Sequence, residues 1–173
     1  MYEFIKRSFS EDDHNGQSTM LYDLYTKYNY FMYAVPGSHD LFNSIKETFH
    51  QCRYHRDGIN DRKYYAQAWL NFYRRGEFID WHRHWPEKYD TWHGFYCVDT
   101  EPNSKTTYRV NEQEIEIPSK DNLLVISPSD GDEHRSSEWN EDKPRITIAF
   151  DIIPADVLFK LPHCFDLNHW IPI

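Results

Sequence analysis

Two histidines, His82 and His84, stand two residues apart in FIDWHRHW, a segment with strand-like composition. In a strand, side chains at i and i+2 share a face, so both imidazoles can reach one ion. A third donor must come from elsewhere, and His134, in PSDGDEHRSSEW, follows the apolar run LLVIS beside a turn. Imidazole suits zinc, copper, iron and nickel. Three protein donors leave coordination positions open, as catalytic sites do and structural zinc sites do not. Ten histidines will also place an HxH pair on a solvated strand face by chance, so the surroundings must decide.

Arg145 lies eleven residues beyond His134 and opens RITIAFDI. Ile146, Ile148 and Phe150 share one face of that strand, and Arg145, Thr147 and Ala149 share the other. The small Thr147 and Ala149 leave room beside the guanidinium. An arginine turned into a barrel needs an anion, because an unpaired buried charge is costly. A carboxylate-bearing ligand could supply it through a bidentate contact; an internal Asp or Glu is the alternative. Tyr73 alternates with Asn71 and Trp69 on one face of an earlier strand. Its phenol either donates to the same carboxylate or packs as an ordinary core tyrosine.

These residues must be positioned by short strands. Runs at 66–74, 78–85, 92–98, 105–110, 112–117, 123–127 and 145–152 are separated by Arg75-Gly76, Pro86-Glu87, Pro102-Asn103, Pro118-Ser119 and Asp130-Gly131. Seven or eight strands at this spacing predict a sandwich or jelly roll. One helix is predicted at about 39–53. Ser38 is its N-cap, and Leu41, Phe42, Ile45, Phe49 and Cys52 form its apolar stripe before Asp57-Gly58 stops it. The helix should cover an outer sheet face.

The chain of 173 residues suits one domain. Residues 1–64 read as a supporting segment, 65–152 as the jelly-roll core and 153–173 as an extension. Aromatics make up 17% of residues, so the core should be rich in rings. A net charge of −9 argues against generic affinity for nucleic acid or anionic membranes. Cys52, Cys97 and Cys164 are widely spaced and odd in number, which reads as reduced thiols in a cytoplasmic protein. No signal peptide or membrane-length apolar run is visible.

Taken together, Y-x-x-G at Tyr73–Gly76, the His82/His84 pair, distal His134 and then Arg145 resemble the pattern of the 2-oxoglutarate/Fe(II)-dependent oxygenases. The likeness extends over about 65–152, where WHGFYCV, LLVISPS and RITIAFDI look like strands of that family's double-stranded β-helix. It implies that His82 and His134 ligate Fe(II). It implies that Arg145, with Tyr73 and the neighbouring Asn71 and Thr147, holds the distal carboxylate of the cosubstrate 2-oxoglutarate. The implied reaction is oxidative decarboxylation to succinate and CO2, coupled to hydroxylation of a small molecule or peptide. His84 stands where the family usually has an acid, as in HxH variants among small phage and bacterial members, and leaves the site one negative charge short. A literal HxD at His55–Asp57 falls at the predicted helix end, without the Tyr-Gly lead-in. His93, His163 and His169 read as surface or packing residues, with His93 the nearest stand-in ligand.

Two other readings stand beside this one. The cupins share the barrel, and Gly76, His82, His84, Glu87 and Gly94 nearly fit their first motif, while Pro128, Gly131 and His134 resemble the second. Three histidines, with or without Glu87, would then hold a metal for a dioxygenase or isomerase that does not use 2-oxoglutarate. Arg145 discriminates, since a cupin has no general need for it. The third reading is a non-catalytic metal- or ligand-binding domain.

Overall fold

From Arg145 to Asp151 large apolar side chains alternate with polar or small ones, and that alternation sets the layers of the molecule. The computed structural model describes residues 19–20, 29–59, 61–101, 103–129, 133–161 and 169–173. His163, Cys164 and Gly131 lie outside them, as do residues 1–18 and 21–28 of the N-terminal segment. In chain order the strands are β1 (Thr19–Met20), β2 (Tyr64–Tyr73), β3 (Ile79–His82), β4 (Trp92–Asp99) and β5 (Lys105–Val110). They continue with β6 (Gln113–Pro118), β7 (Leu124–Pro128), β8 (Glu133–Ser136), β9 (Arg145–Pro154) and β10 (Ile171–Pro172). Helix α1 spans Ser38–Asp57 and the short α2 spans Ala155–Leu158.

The strands form two antiparallel sheets. The larger runs β1-β2-β9-β4-β7, with β10 also on β2; the smaller runs β3-β8-β5-β6. In the larger sheet, Phe72, Leu70, Ala68 and Ala66 sit beside Ile146, Ile148, Phe150 and Ile152, and these beside Tyr96, Gly94 and Trp92. This is the outer face. It packs against Ile45 and Phe49 of α1, both fully buried, and against Tyr30. Phe49 meets Tyr64 and Trp92 edge-on at ring-centroid distances of 5.0 and 5.5 Å, the T-shaped geometry that aromatic quadrupoles favour. The main hydrophobic core therefore lies between helix and sheet, which leaves the space between the two sheets free to be polar.

The outer edge of β2 is covered rather than bare. Thr19–Met20 pairs at Phe72 and Asn71, and Ile171–Pro172 pairs at Ala66 and Tyr65. Between them, the buried Asn29 donates to the carbonyls of Ala66 and His169 and accepts from the amide of Ala68. An open strand edge with unsatisfied backbone groups is thereby avoided.

Several boundaries differ from the sequence reading. Helix α1 runs to Asp57 rather than 53, because His55 and Arg56 suit the negative helix end and the Gly58 amide, at φ 71°, bonds the Tyr54 carbonyl. Its N-cap is Gly37 in the left-handed region, not Ser38, whose hydroxyl donates to the Tyr33 carbonyl instead. β3 ends at His82, so His84 lies beyond the strand. His134 lies within a strand, β8, that the turn-rich sequence concealed.

Candidate metal centre

The inner face of the larger sheet carries the other half of the alternation. Tyr73, Asn71, Trp69 and Gln67 on β2 pair with Arg145, Thr147, Ala149 and Asp151 on β9, and Cys97, Phe95 and His93 on β4 stand alongside. Facing them, His134 and Ser136 on β8 sit beside Tyr108 and Thr106 on β5. This inter-sheet space holds the residues on which the sequence reading turned.

His82 pairs directly with His134 across β3 and β8. The β3 amide of Ile79 is pinned to the Ser136 hydroxyl at 2.7 Å, which fixes the register. His84 comes from the bend after β3, not from the i, i+2 alternation. It is placed by Asp151, whose carboxylate accepts from Nδ1 of His84 at 2.5 Å and from Nε1 of Trp85 at 2.9 Å. Ligating nitrogens of His82, His84 and His134 all lie within 4.8 Å of one another, and theirs is the one such group found among the described residues. Their ring centroids are 4.3 Å (His82–His134), 5.0 Å (His84–His134) and 5.4 Å (His82–His84) apart.

The donor set fits a divalent ion of borderline softness. His82 donates from Nδ1 to the Asp80 carbonyl, which leaves Nε2 as the donor atom. His84 is fixed the same way by Asp151. His134 keeps a buried Nδ1 with no protein partner. Burial holds His134 far below, and His82 below, the ordinary imidazole range; His84, His93 and His82 lower His134 further, and His84 lowers His82. Neutral imidazoles are the ligating form, so these rings need release no proton to bind metal near neutral pH.

Arg145 is 1% exposed, yet no carboxylate among the described residues pairs with it. Its guanidinium lies 4.7 Å from the Tyr73 ring centre and Nη2 donates to the Thr106 hydroxyl at 3.4 Å. Nε and Nη1 are buried without partners. Among the described residues, the alternative raised by the sequence, an internal salt bridge to Arg145, is absent. Oδ1 of Asn71 is likewise buried and unpartnered, and Thr147 is buried beside it. Thr106 pairs with Ser136 two residues along β8 from His134, a step of about 7 Å. A short dicarboxylate can bridge that interval.

Other candidates fall away. His55 and Asp57 are in the last turn of α1, where Asp57 accepts from Arg56. Glu87 is exposed in the 3-10 turn Glu87–Tyr89 and outside the histidine group, so it is no fourth ligand. His169 is buried against Gln67. His93, read as a surface or packing residue, is 2% exposed and lies nearly parallel to His134 at 4.8 Å. Its Nδ1 meets the Ser129 hydroxyl at 2.9 Å and its Nε2 has no partner. Its period-2 spacing with Phe95 and Cys97 could have revealed it. The same parity that turns Arg145 inward also turns Asp151 inward, and the sequence reading stopped at Ala149.

With this geometry in place, likeness to solved structures becomes informative. No family model and no curated protein sequence matches the chain. A 2OG-Fe(II) oxygenase family oxidoreductase from Burkholderia pseudomallei matches with a TM-score of 0.51 and 11% identity, over 88% of this chain and 75% of that one. A Pseudomonas putida prolyl-4-hydroxylase matches with a TM-score of 0.50 and 11% identity, over 67% of this chain and 62% of that one. The chain thus spans about three-fifths of that enzyme's length. A cupin domain from Bordetella pertussis Tohama I has a TM-score of 0.37 and 16% identity, over 54% of this chain and 84% of that one. The fold is a double-stranded β-helix. At these identities the likeness is one of architecture, and the chemistry rests on the side chains themselves.

Proposed function

We propose that the chain is an Fe(II)/2-oxoglutarate-dependent oxygenase. His82, His84 and His134 hold the metal. Arg145 binds the distal carboxylate of 2-oxoglutarate, and Tyr73, Asn71 and Thr147 line its side of the chamber. One observation carries this reading beyond a bare metal site: a buried guanidinium with two unpartnered nitrogens and no acidic partner among the described residues. Leaving such a charge uncompensated costs several kcal/mol, so an anionic ligand is its natural partner.

The bound iron and cosubstrate would supply the oxidising chemistry, with succinate and CO2 as co-products of substrate hydroxylation. The protein's residues bind, orient and exclude water. The Tyr73 ring and the Thr106 hydroxyl hold the Arg145 guanidinium, whose Nε and Nη1 keep N–H groups to offer an anion. Trp69 and Phe95, both buried, provide dry walls between that fork and the histidines. A cupin-type site would need the metal but not this arginine.

Anaerobic reconstitution with Fe(II), followed by titration of 2-oxoglutarate, tests the assignment. A weak visible charge-transfer band should develop in the wild type. Arg145→Ala should keep the metal and lose about 2–5 kcal/mol of 2-oxoglutarate affinity, whereas His134→Ala should lose stoichiometric metal. Metal binding without any 2-oxoglutarate response would leave a cupin-like or non-catalytic site. No metal binding at all would remove both.

A further inference from the structure

We infer that Asp151 is a positioning residue of the metal centre, acting through His84 to supply the negative charge that an acidic ligand at position 84 would have brought. This rests on the metal-binding reading above and names the device that makes a three-histidine set suffice.

Asp151 is fully buried, with apolar neighbours at 148–150 and 152–154 of β9. A lone buried carboxylate is costly unless its lone pairs are engaged. Among the described residues no lysine or arginine pairs with it; the basic side chain against it is His84. Both oxygens are used: Oδ1 accepts from Nδ1 of His84 and Oδ2 from Nε1 of Trp85. The first contact has a consequence for the metal. A carboxylate that accepts from Nδ1 fixes the tautomer, so Nε2 carries the lone pair, and it raises the basicity of that nitrogen. Three neutral imidazoles leave the full dipositive charge on the ion. A buried anion one imidazole away offsets part of it without occupying a coordination position. Position 84 therefore donates as a neutral ring while the site keeps an anion within two bonded contacts.

A plainer role is possible for the same contacts: Asp151 could serve as a peg that holds the bend at 83–85 against the barrel. The two roles separate experimentally, because Trp85 shares the peg but not the ligand. Cobalt(II) serves as the probe metal, followed by its ligand-field bands. Asp151→Asn should weaken Co(II) binding about 10- to 100-fold and shift those bands, while Trp85→Phe should leave affinity and bands near wild type. In metal-free protein, long-range 1H–15N spectra should show His84 as the Nδ1–H tautomer, and Asp151→Asn should lose that preference. Equal losses in the two variants, or an unchanged spectrum in Asp151→Asn, would overturn the inference and leave the metal site standing. So would an Nε2–H tautomer in the wild type, a readout that holds even where Asp151→Asn fails to fold. Wild-type protein that binds no Co(II) would remove the metal centre and this role together.

Discussion

Histidine burial gives this site a pH dependence whose sign can be worked out residue by residue. His82, His93 and His134 all titrate below the ordinary value of 6.5, each chiefly through desolvation and then through its histidine neighbours. A group whose folded pKa is depressed is protonated more readily in the unfolded chain, so the unfolded state binds more protons. The stability these rings contribute is complete above pH 6.5 and is lost as pH falls below it toward the folded values. The metal-free protein should thus lose urea resistance between pH 7 and 5, by up to about 1.4 kcal/mol per pH unit for each such ring. Replacing His93, which is not a proposed ligand, with Gln should flatten that slope. An equal slope in wild type and His93→Gln would show that His93 is not buried in its neutral form. The residues found from sequence were those whose neighbours announced them. His82 and His84 stood two apart, and Arg145 opened a run that alternates by twos. Asp151 continues the inward parity of Arg145, but only the partners that arrive from the 83–85 bend show its use.

At the level of single elements, Gly94 does more than its place in WHGFYCV suggests. A Cβ added there would lie 2.2 Å from the Val125 carbonyl oxygen and 2.4 Å from Cζ of Phe150. The Phe150 ring lies over the glycine on the helix-facing side, while the adjacent His93 points into the chamber. Gly94→Ala should therefore destabilise by at least about 1–3 kcal/mol in urea unfolding. Adding Phe150→Ala should not restore stability, because the clash with the Val125 backbone remains. Unchanged stability in Gly94→Ala would show that β4 and β7 can part without loss. Strand spacing was readable because apolar alternation is a local property. The end of β3 was not, because it depends on pairing with β8, far off in sequence. The end of α1 was readable in part: Asp57-Gly58 marked the stop, while Asp90, which Arg56 also meets, comes from far off in sequence.

For the whole molecule, layering explains how an acidic chain can build an anion site. The outer face of the smaller sheet carries Arg109 with Glu133 and Glu114, and Lys105 with Glu116, exposed pairs of small energetic weight. These acids sit at a surface where water screens them. Arg145 is a cation held inside with no acidic partner among the described residues, and its field acts on the chamber. No described helix is long and apolar enough to cross a membrane. Metal and dicarboxylate should couple to folding in sequence, because each binds a site that the unfolded chain lacks. Metal at one hundred times its dissociation constant should add about 2.7 kcal/mol, or roughly 5–10 °C in thermal midpoint for a chain of this size. 2-Oxoglutarate should then raise the midpoint again, but only after metal. Arg145→Ala should keep the first increment and lose most of the second; His134→Ala should lose both. A second increment that survives Arg145→Ala would place the dicarboxylate elsewhere. An increment from 2-oxoglutarate in metal-free protein would mean that the guanidinium alone captures the anion, without the histidines.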